Sequence, residues 1–229
     1  MARTRGIPAC TRCVRAGTAL FFPDFSMPLQ DTGFFWVFLA IICYGVVHSL
    51  LASNQAKAFA VRRFGGYANR YYRLLFNLLA GVTLLPVLAL VVLLPDRILY
   101  IIPLPWVVLT LGIQAVAVIC LLIGIQQTGS ASFLGISQLF DRPANESAKL
   151  VKSGFYRYVR HPLYSFSLAI LWFMPYMSFN ILAFNIGATL YLTIGSILEE
   201  KKLVEEFGET YVAYRQRTPM FFPILIKKR

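Results

Sequence analysis

Between Leu163 and Leu198 the chain runs 36 residues without an Asp, Glu, Lys or Arg. A helical crossing of the hydrocarbon core uses about 20 apolar residues, so this stretch is too long for one crossing. "PYMSFN" (175–180) near its middle splits it into two short helices in a tight hairpin. Three more uncharged runs precede it, the first being "GFFWVFLAIICYGVVHSLLAS" (33–53). The spans expected are 33–53, 74–94, 104–125, 163–178 and 180–198, in one all-α, polytopic membrane domain over residues 27–229. Composition agrees, at 58% hydrophobic and 14% charged with mean hydropathy +0.64, outside the range of a soluble domain.

The net charge of +12 raises nucleic acid as a partner, and its distribution excludes that reading. Segments 54–73, 126–162 and 199–229 hold 17 Lys and Arg, whereas 95–103 and the hairpin turn hold one between them. That is the asymmetry of a membrane protein whose basic loops face the cytoplasm, here with the C-terminus inside, as in a bacterial inner membrane. Attraction to anionic membrane lipid accompanies it. Residues 1–26 break the pattern with Arg3, Arg5, Arg12 and Arg15 on the outer side, and read as an over-called start or a surface tail. No apolar core follows these arginines, so the segment is not a signal peptide. Cys10 and Cys13 form a lone CxxC there, half a zinc ligand set, so no metal site is expected. Cys43 and Cys120 lie inside spans and read as small packing residues.

An antiparallel hairpin turning near Phe179 places His161, 18 residues before the turn, level with Glu199 and Glu200, 20 and 21 residues after it. Cations, imidazole and carboxylates therefore converge at one membrane edge, where ionisable groups are costly unless they meet a cavity or each other. Snorkelling explains Arg157 and Arg160, and an interfacial belt explains Tyr156, Tyr158 and Tyr164. Neither explains "RHP" at a helix start or paired glutamates ending the partner helix. Pro162 suits a first helical turn, where its missing N–H is no loss, and it aims His161. Beyond Glu200, Leu203, Val204, Phe207, Tyr211 and Tyr214 recur at helical spacing, predicting one amphipathic surface helix that roofs the pocket and ends at Pro219 and Pro223. Four-residue spacing from Glu199 through Leu203, Phe207 and Tyr211 favours Glu199 over Glu200 as the inward carboxylate.

"GFYRYVRHPLY" (154–164), followed by "EEKKLVEEFGETYVAYRQRTPMFFP" (199–223), resembles the membrane methyltransferase superfamily. That superfamily includes isoprenylcysteine carboxyl methyltransferase, phospholipid N-methyltransferases and bacterial methanethiol S-methyltransferase. "HSLLAS" (48–53) and "YRLLFNLLAG" (72–81) add a likeness to the methanethiol branch, and "SASFLGISQL" (130–139) stands where that branch carries an acidic, "FDLFGLRQ"-like stretch. The resemblance implies a cytoplasm-facing S-adenosyl-L-methionine site at Arg160, His161, Pro162, Tyr164, Glu199 and Glu200, with Tyr158, Tyr211 and Tyr214 around it. The chemistry is compatible: a sulfonium and an ammonium suit carboxylates and aromatic faces. No glycine-rich βαβ fingerprint competes, since "GIQQTG" follows an apolar helix.

Methyl transfer from a sulfonium is an in-line displacement that neutralises charge, so positioning and exclusion of water dominate. A thiol acceptor reacts as its thiolate, and His161 and His48 are the candidate bases, His48 being equally readable as a histidine bonded to a partner helix. The acceptor stays open between a small thiol and a lipid-like molecule, as does the oligomeric state. The rival functions are an NADPH-dependent sterol-type membrane reductase, which ends in a similar His-Pro-x-Tyr element, and a non-catalytic lipid-binding protein.

Overall fold

The computed structural model describes residues 28–128 and 150–223. The expectations placed on residues 1–26, on Cys10 and Cys13, and on 130–139 lie outside these residues. The helices are α1 (Phe34–Leu51), α2 (Asn54–Phe64), α3 (Gly66–Leu93), α4 (Trp106–Gln127), α5 (Pro162–Trp172), α6 (Phe179–Phe207) and α7 (Glu209–Arg217). Strands β1 (Ile98–Ile101) and β2 (Tyr176–Ser178) pair antiparallel, the one departure from an all-α chain among the described residues. Among the described residues four helices are long and apolar enough to cross a membrane: α1, α4, α6 and the Arg70–Leu93 part of α3. The chain is thus a helical integral membrane protein. The expected hairpin is lopsided, because α5 has only 11 residues against 29 in α6. Extended chain through β2 supplies the remaining length, and Ser178 Oγ caps α6 by accepting from Ile181 N at 3.3 Å.

Helices α1 and α6 run parallel, since their contacts advance together along both. Phe34 meets Phe179 edge to face, Ile41 meets Gly187, Gly45 meets Tyr191, and Lys202 Nζ donates to the Ala52 carbonyl at 3.3 Å. A Cβ on Gly187 would collide with Ile41. In lipid, where apolar side chains gain nothing by leaving their surroundings, such close approach through small residues is what holds helices together. Helix α3 runs back along α1, with Tyr72 OH donating to the Leu51 carbonyl at 2.6 Å and Gly33 N to the Pro95 carbonyl at 2.7 Å. Helix α4 pairs with α5 through Gln114 Nε2 on the Ile170 carbonyl at 2.7 Å.

The chain thereby acquires two ends. At one, the side chain of fully buried Asn180 donates towards the Val91, Leu94 and Pro95 carbonyls, satisfying the orphan acceptors that end α3. At the other, Ala52, Tyr72, Lys202 and the polar residues of α5 and α6 gather. Cys43 is exposed on α1, so on that face it is an outward apolar residue and not a packing one; Cys120 is half-buried.

Candidate active site

Because Pro162 opens α5 at its first turn, His161 sits at the helix boundary, held from both sides. Its N–H donates to the Met220 carbonyl at 3.1 Å, and the Arg160 N–H donates to the Pro219 carbonyl at 2.9 Å. The segment 219–221 thus lies along the start of α5, secured further by Ser165 Oγ on the Phe221 carbonyl at 2.6 Å. Pro219, expected only to end a helix, also supplies an acceptor.

Glu200 Oε1 accepts from Arg160 Nε at 2.7 Å and lies 3.1 Å from His161 Nε2. These side chains are 9%, 11% and 6% exposed. Arg160 NH1 donates to the carbonyls of Arg215 and Thr218, the C-terminal end of α7, where the helix dipole also favours a cation. One buried guanidinium therefore ties α5, α6 and α7 together. This fastening of Arg160 by main-chain carbonyls went unread in the sequence; the only cue was the "RTP" that stops α7.

Glu199 differs. Its side chain is 49% exposed, Tyr164 OH donates to its Oε2 at 2.9 Å, and His161 Nδ1 stands 3.8 Å from the same oxygen. The His161 and Tyr164 rings stack at 5.4 Å, 2° from parallel. The buried carboxylate is thus Glu200, whereas the spacing turns Glu199 inward as the carboxylate for the cofactor; the burial corrects the inward direction alone. The reason is local: Gly208, at φ 54°, stops α6 and begins α7, so the stripe from Glu199 to Tyr211 crosses a break and has no single face. The predicted surface helix is accordingly two pieces, the last turns of α6 and the separate α7. Within α6 the buried face is the one carrying Ser196 and Glu200, four residues apart and both buried.

Tyr211 is 1% exposed, with its hydroxyl lacking a hydrogen-bond partner among the described residues. Burial, then the Glu200 carboxylate, pushes its phenol above the ordinary range, with Arg160 opposing. Tyr214 OH donates to the Tyr156 carbonyl at 2.6 Å. Burial, with Arg160 opposing and Tyr156 and Glu200 adding, pushes Tyr214 up to about 12. Burial and then Glu199 push Tyr156 up to about 12. All three phenols are therefore neutral at physiological pH, able to donate hydrogen bonds and to offer uncharged ring faces.

Of the site residues expected, Arg160, His161, Pro162, Tyr164, Glu199, Glu200, Tyr211 and Tyr214 come together. Tyr158 does not: it is 62% exposed and turns outward just after the short 3₁₀ turn Gly154–Arg157. His48 stands apart on α1. Its Nδ1 is 2.5 Å from Tyr191 OH, and its ring lies against Phe76, Tyr44 and Tyr191. Tyr191, unremarked in the sequence, is the residue of α6 that holds His48.

Residues 108–210 match the phospholipid methyltransferase family model. Curated relatives include proteins named methanethiol S-methyltransferase from Crocosphaera subtropica, 38% identical over 89 residues (39% of this chain, 35% of the relative), and from Pseudomonas deceptionensis, 41% identical over 96 residues (40% and 36%). A third, from Mycobacterium tuberculosis, is 37% identical over 68 residues (30% and 28%). Each alignment thus spans about a third of the relative's length. No solved structure matches the chain.

Proposed function

We propose that the chain is a membrane methyltransferase using S-adenosyl-L-methionine and a small thiol acceptor, a reading supported by the match of residues 108–210 to the phospholipid methyltransferase family model and by the partial likeness to proteins named methanethiol S-methyltransferase. The observation that carries this is the division of labour between adjacent carboxylates. Glu200 is consumed by Arg160 and His161, whereas Glu199 keeps an exposed edge beside neutral aromatic rings. A carboxylate edge with aromatic faces suits a ligand bearing a sulfonium and an ammonium, and the orphaned Tyr211 hydroxyl is a donor for a polar ligand atom. The residues present therefore fit the cofactor.

When bound, S-adenosylmethionine supplies the electrophilic methyl group. Glu199 would take the ammonium end, and Tyr164, stacked on His161, would present a ring face. Arg160 and Glu200 act one step removed, locking the C-terminal segment over α5 so that water is kept from the reacting atoms. Pro162 fixes the backbone that aims His161. A thiol must lose its proton to react; with His161 Nε2 tied to Glu200, His48, its Nδ1 held against Tyr191 OH, is the candidate acceptor for that proton. The thiol follows the names of the relatives. The charge asymmetry supports a cytoplasmic position for this end of the bundle.

The test is calorimetry and turnover on the full chain in lipid nanodiscs. S-Adenosylhomocysteine should bind and NADPH should not, and labelled methyl should pass to a small thiol in preference to prenylcysteine or phospholipid. Binding of NADPH alone would replace this reading with the reductase.

A further inference from the structure

Away from the Arg160–Glu200 cluster, α2, the first half of α3 and the end of α1 enclose a cleft of about 420 Å³. Ala60 and Phe64 of α2, Tyr67, Tyr71 and Phe76 of α3, and Leu51 of α1 are among its lining residues. Its walls are apolar, and 420 Å³ lies within the range of small-molecule sites. Its setting is the reverse. Segment 54–73 contains Lys57, Arg62, Arg63, Arg70 and Arg73 and no acidic residue, and all five basic side chains are exposed. They interleave with the lining in sequence: Arg63 precedes Phe64, Arg70 precedes Tyr71 and Arg73 follows Tyr72. The Arg70 guanidinium lies 5.9 Å from the Tyr71 ring centroid, which puts one of these charges at the rim.

An apolar slot in a segment whose charges are all cationic, one of them at its rim, at the membrane edge where α1 gives way to a polar helix, matches a ligand with an acyl chain and an anionic head. We propose that this cleft is a binding site for one anionic phospholipid, its acyl chain between α2 and α3 and its phosphate among Arg62, Arg63 and Arg70. This differs from general attraction of basic loops to an anionic surface, which needs charge but no slot. It also stands whether or not the chain transfers methyl groups.

The two requirements can be separated. The full chain, extracted from mixed phosphatidylglycerol and phosphatidylcholine vesicles and examined by native mass spectrometry, should retain one phosphatidylglycerol in preference to phosphatidylcholine. The Arg62→Gln/Arg63→Gln pair should cut that preference by up to about thirtyfold, on the scale expected for losing two cations near the surface. Ala60→Phe, which fills the slot and leaves every charge, should abolish retention while leaving the thermal midpoint of unfolding unchanged. Retention of phosphatidylglycerol by Ala60→Phe at the wild-type level would overturn the site in favour of diffuse attraction. Equal retention of both lipids by the wild type, or a lipid-free dimer that Ala60→Phe dissociates, would overturn it as well.

Discussion

Neutralising the two adjacent carboxylates one at a time should produce opposite phenotypes. In Glu200→Gln the amide oxygen still accepts, but the acceptor shared by Arg160 at 2.7 Å and His161 at 3.1 Å loses its charge. Arg160, 11% exposed, then has only the neutral carbonyls of Arg215 and Thr218. Converting charge-assisted hydrogen bonds to neutral ones costs about 1 kcal/mol each, so a loss of about 2 kcal/mol is expected. Glu200→Ala, which strands a buried cation, should cost about 3–5 kcal/mol. Glu199, half-exposed and bonded once, should cost below about 1 kcal/mol as Gln.

For a domain of this size 1 kcal/mol moves the melting midpoint by about 2–4 °C. Thermal unfolding in nanodiscs should therefore show Glu200→Gln down by about 4–8 °C and Glu199→Gln by less than about 4 °C. Binding should show the reverse order. Glu199→Gln removes the charged acceptor offered to the ligand's ammonium, a loss of about 1.5–3 kcal/mol, or 10- to 150-fold in S-adenosylhomocysteine affinity. Glu200→Gln, measured below its melting midpoint, should retain affinity within about tenfold. A Glu200→Gln protein that melts with the wild type would refute the buried clamp. A Glu199→Gln protein with unchanged affinity would remove Glu199 from the ligand.

Tyr156 and Tyr214, each held at about 12 against about 10 unfolded, stabilise the fold fully below pH 10. Above that the unfolded chain releases their protons first, so stability should fall as pH rises from about 10 to about 12, by less than the unscreened limit because both side chains are partly exposed. Tyr214→Phe should remove its share of that slope in an alkaline melt. His48→Ala and Tyr191→Phe should lower kcat with a thiol acceptor while leaving S-adenosylhomocysteine affinity unchanged; equal losses in both would assign His48 a packing role. Impermeant thiol labelling of Lys201→Cys, in a background without native cysteines, should succeed only from the cytoplasmic side. Gly187→Val, whose branched side chain would collide with Ile41, should cost a few kcal/mol through separation of α1 from α6.

What the sequence made legible is the part governed by hydropathy and chain length. Uncharged runs mark α1 and α4 within a few residues but miss the charged start of α3 and the charged last turns of α6, and counting outward from "PYMSFN" brings His161 to the level of Glu199 and Glu200. What stayed hidden depends on single backbone torsions and on main-chain acceptors, which leave no pattern in side-chain type. Periodicity treats 199–214 as one helix because every residue there but Gly208 is compatible with one, and the positive φ at Gly208 turns the direction of everything beyond it. With the stripe cut, Glu199 no longer shares a face with Tyr211, and the buried position passes to Glu200, four residues beyond buried Ser196. The cost of burying Glu200 is met by Arg160, and Arg160 is in turn held by the carbonyls that end α7. The Glu-Glu pair therefore needs both members for different physical reasons. One closes the C-terminal segment over the start of α5, and its neighbour, turned by about 100° on the same helix, keeps its charge at the surface that closure creates.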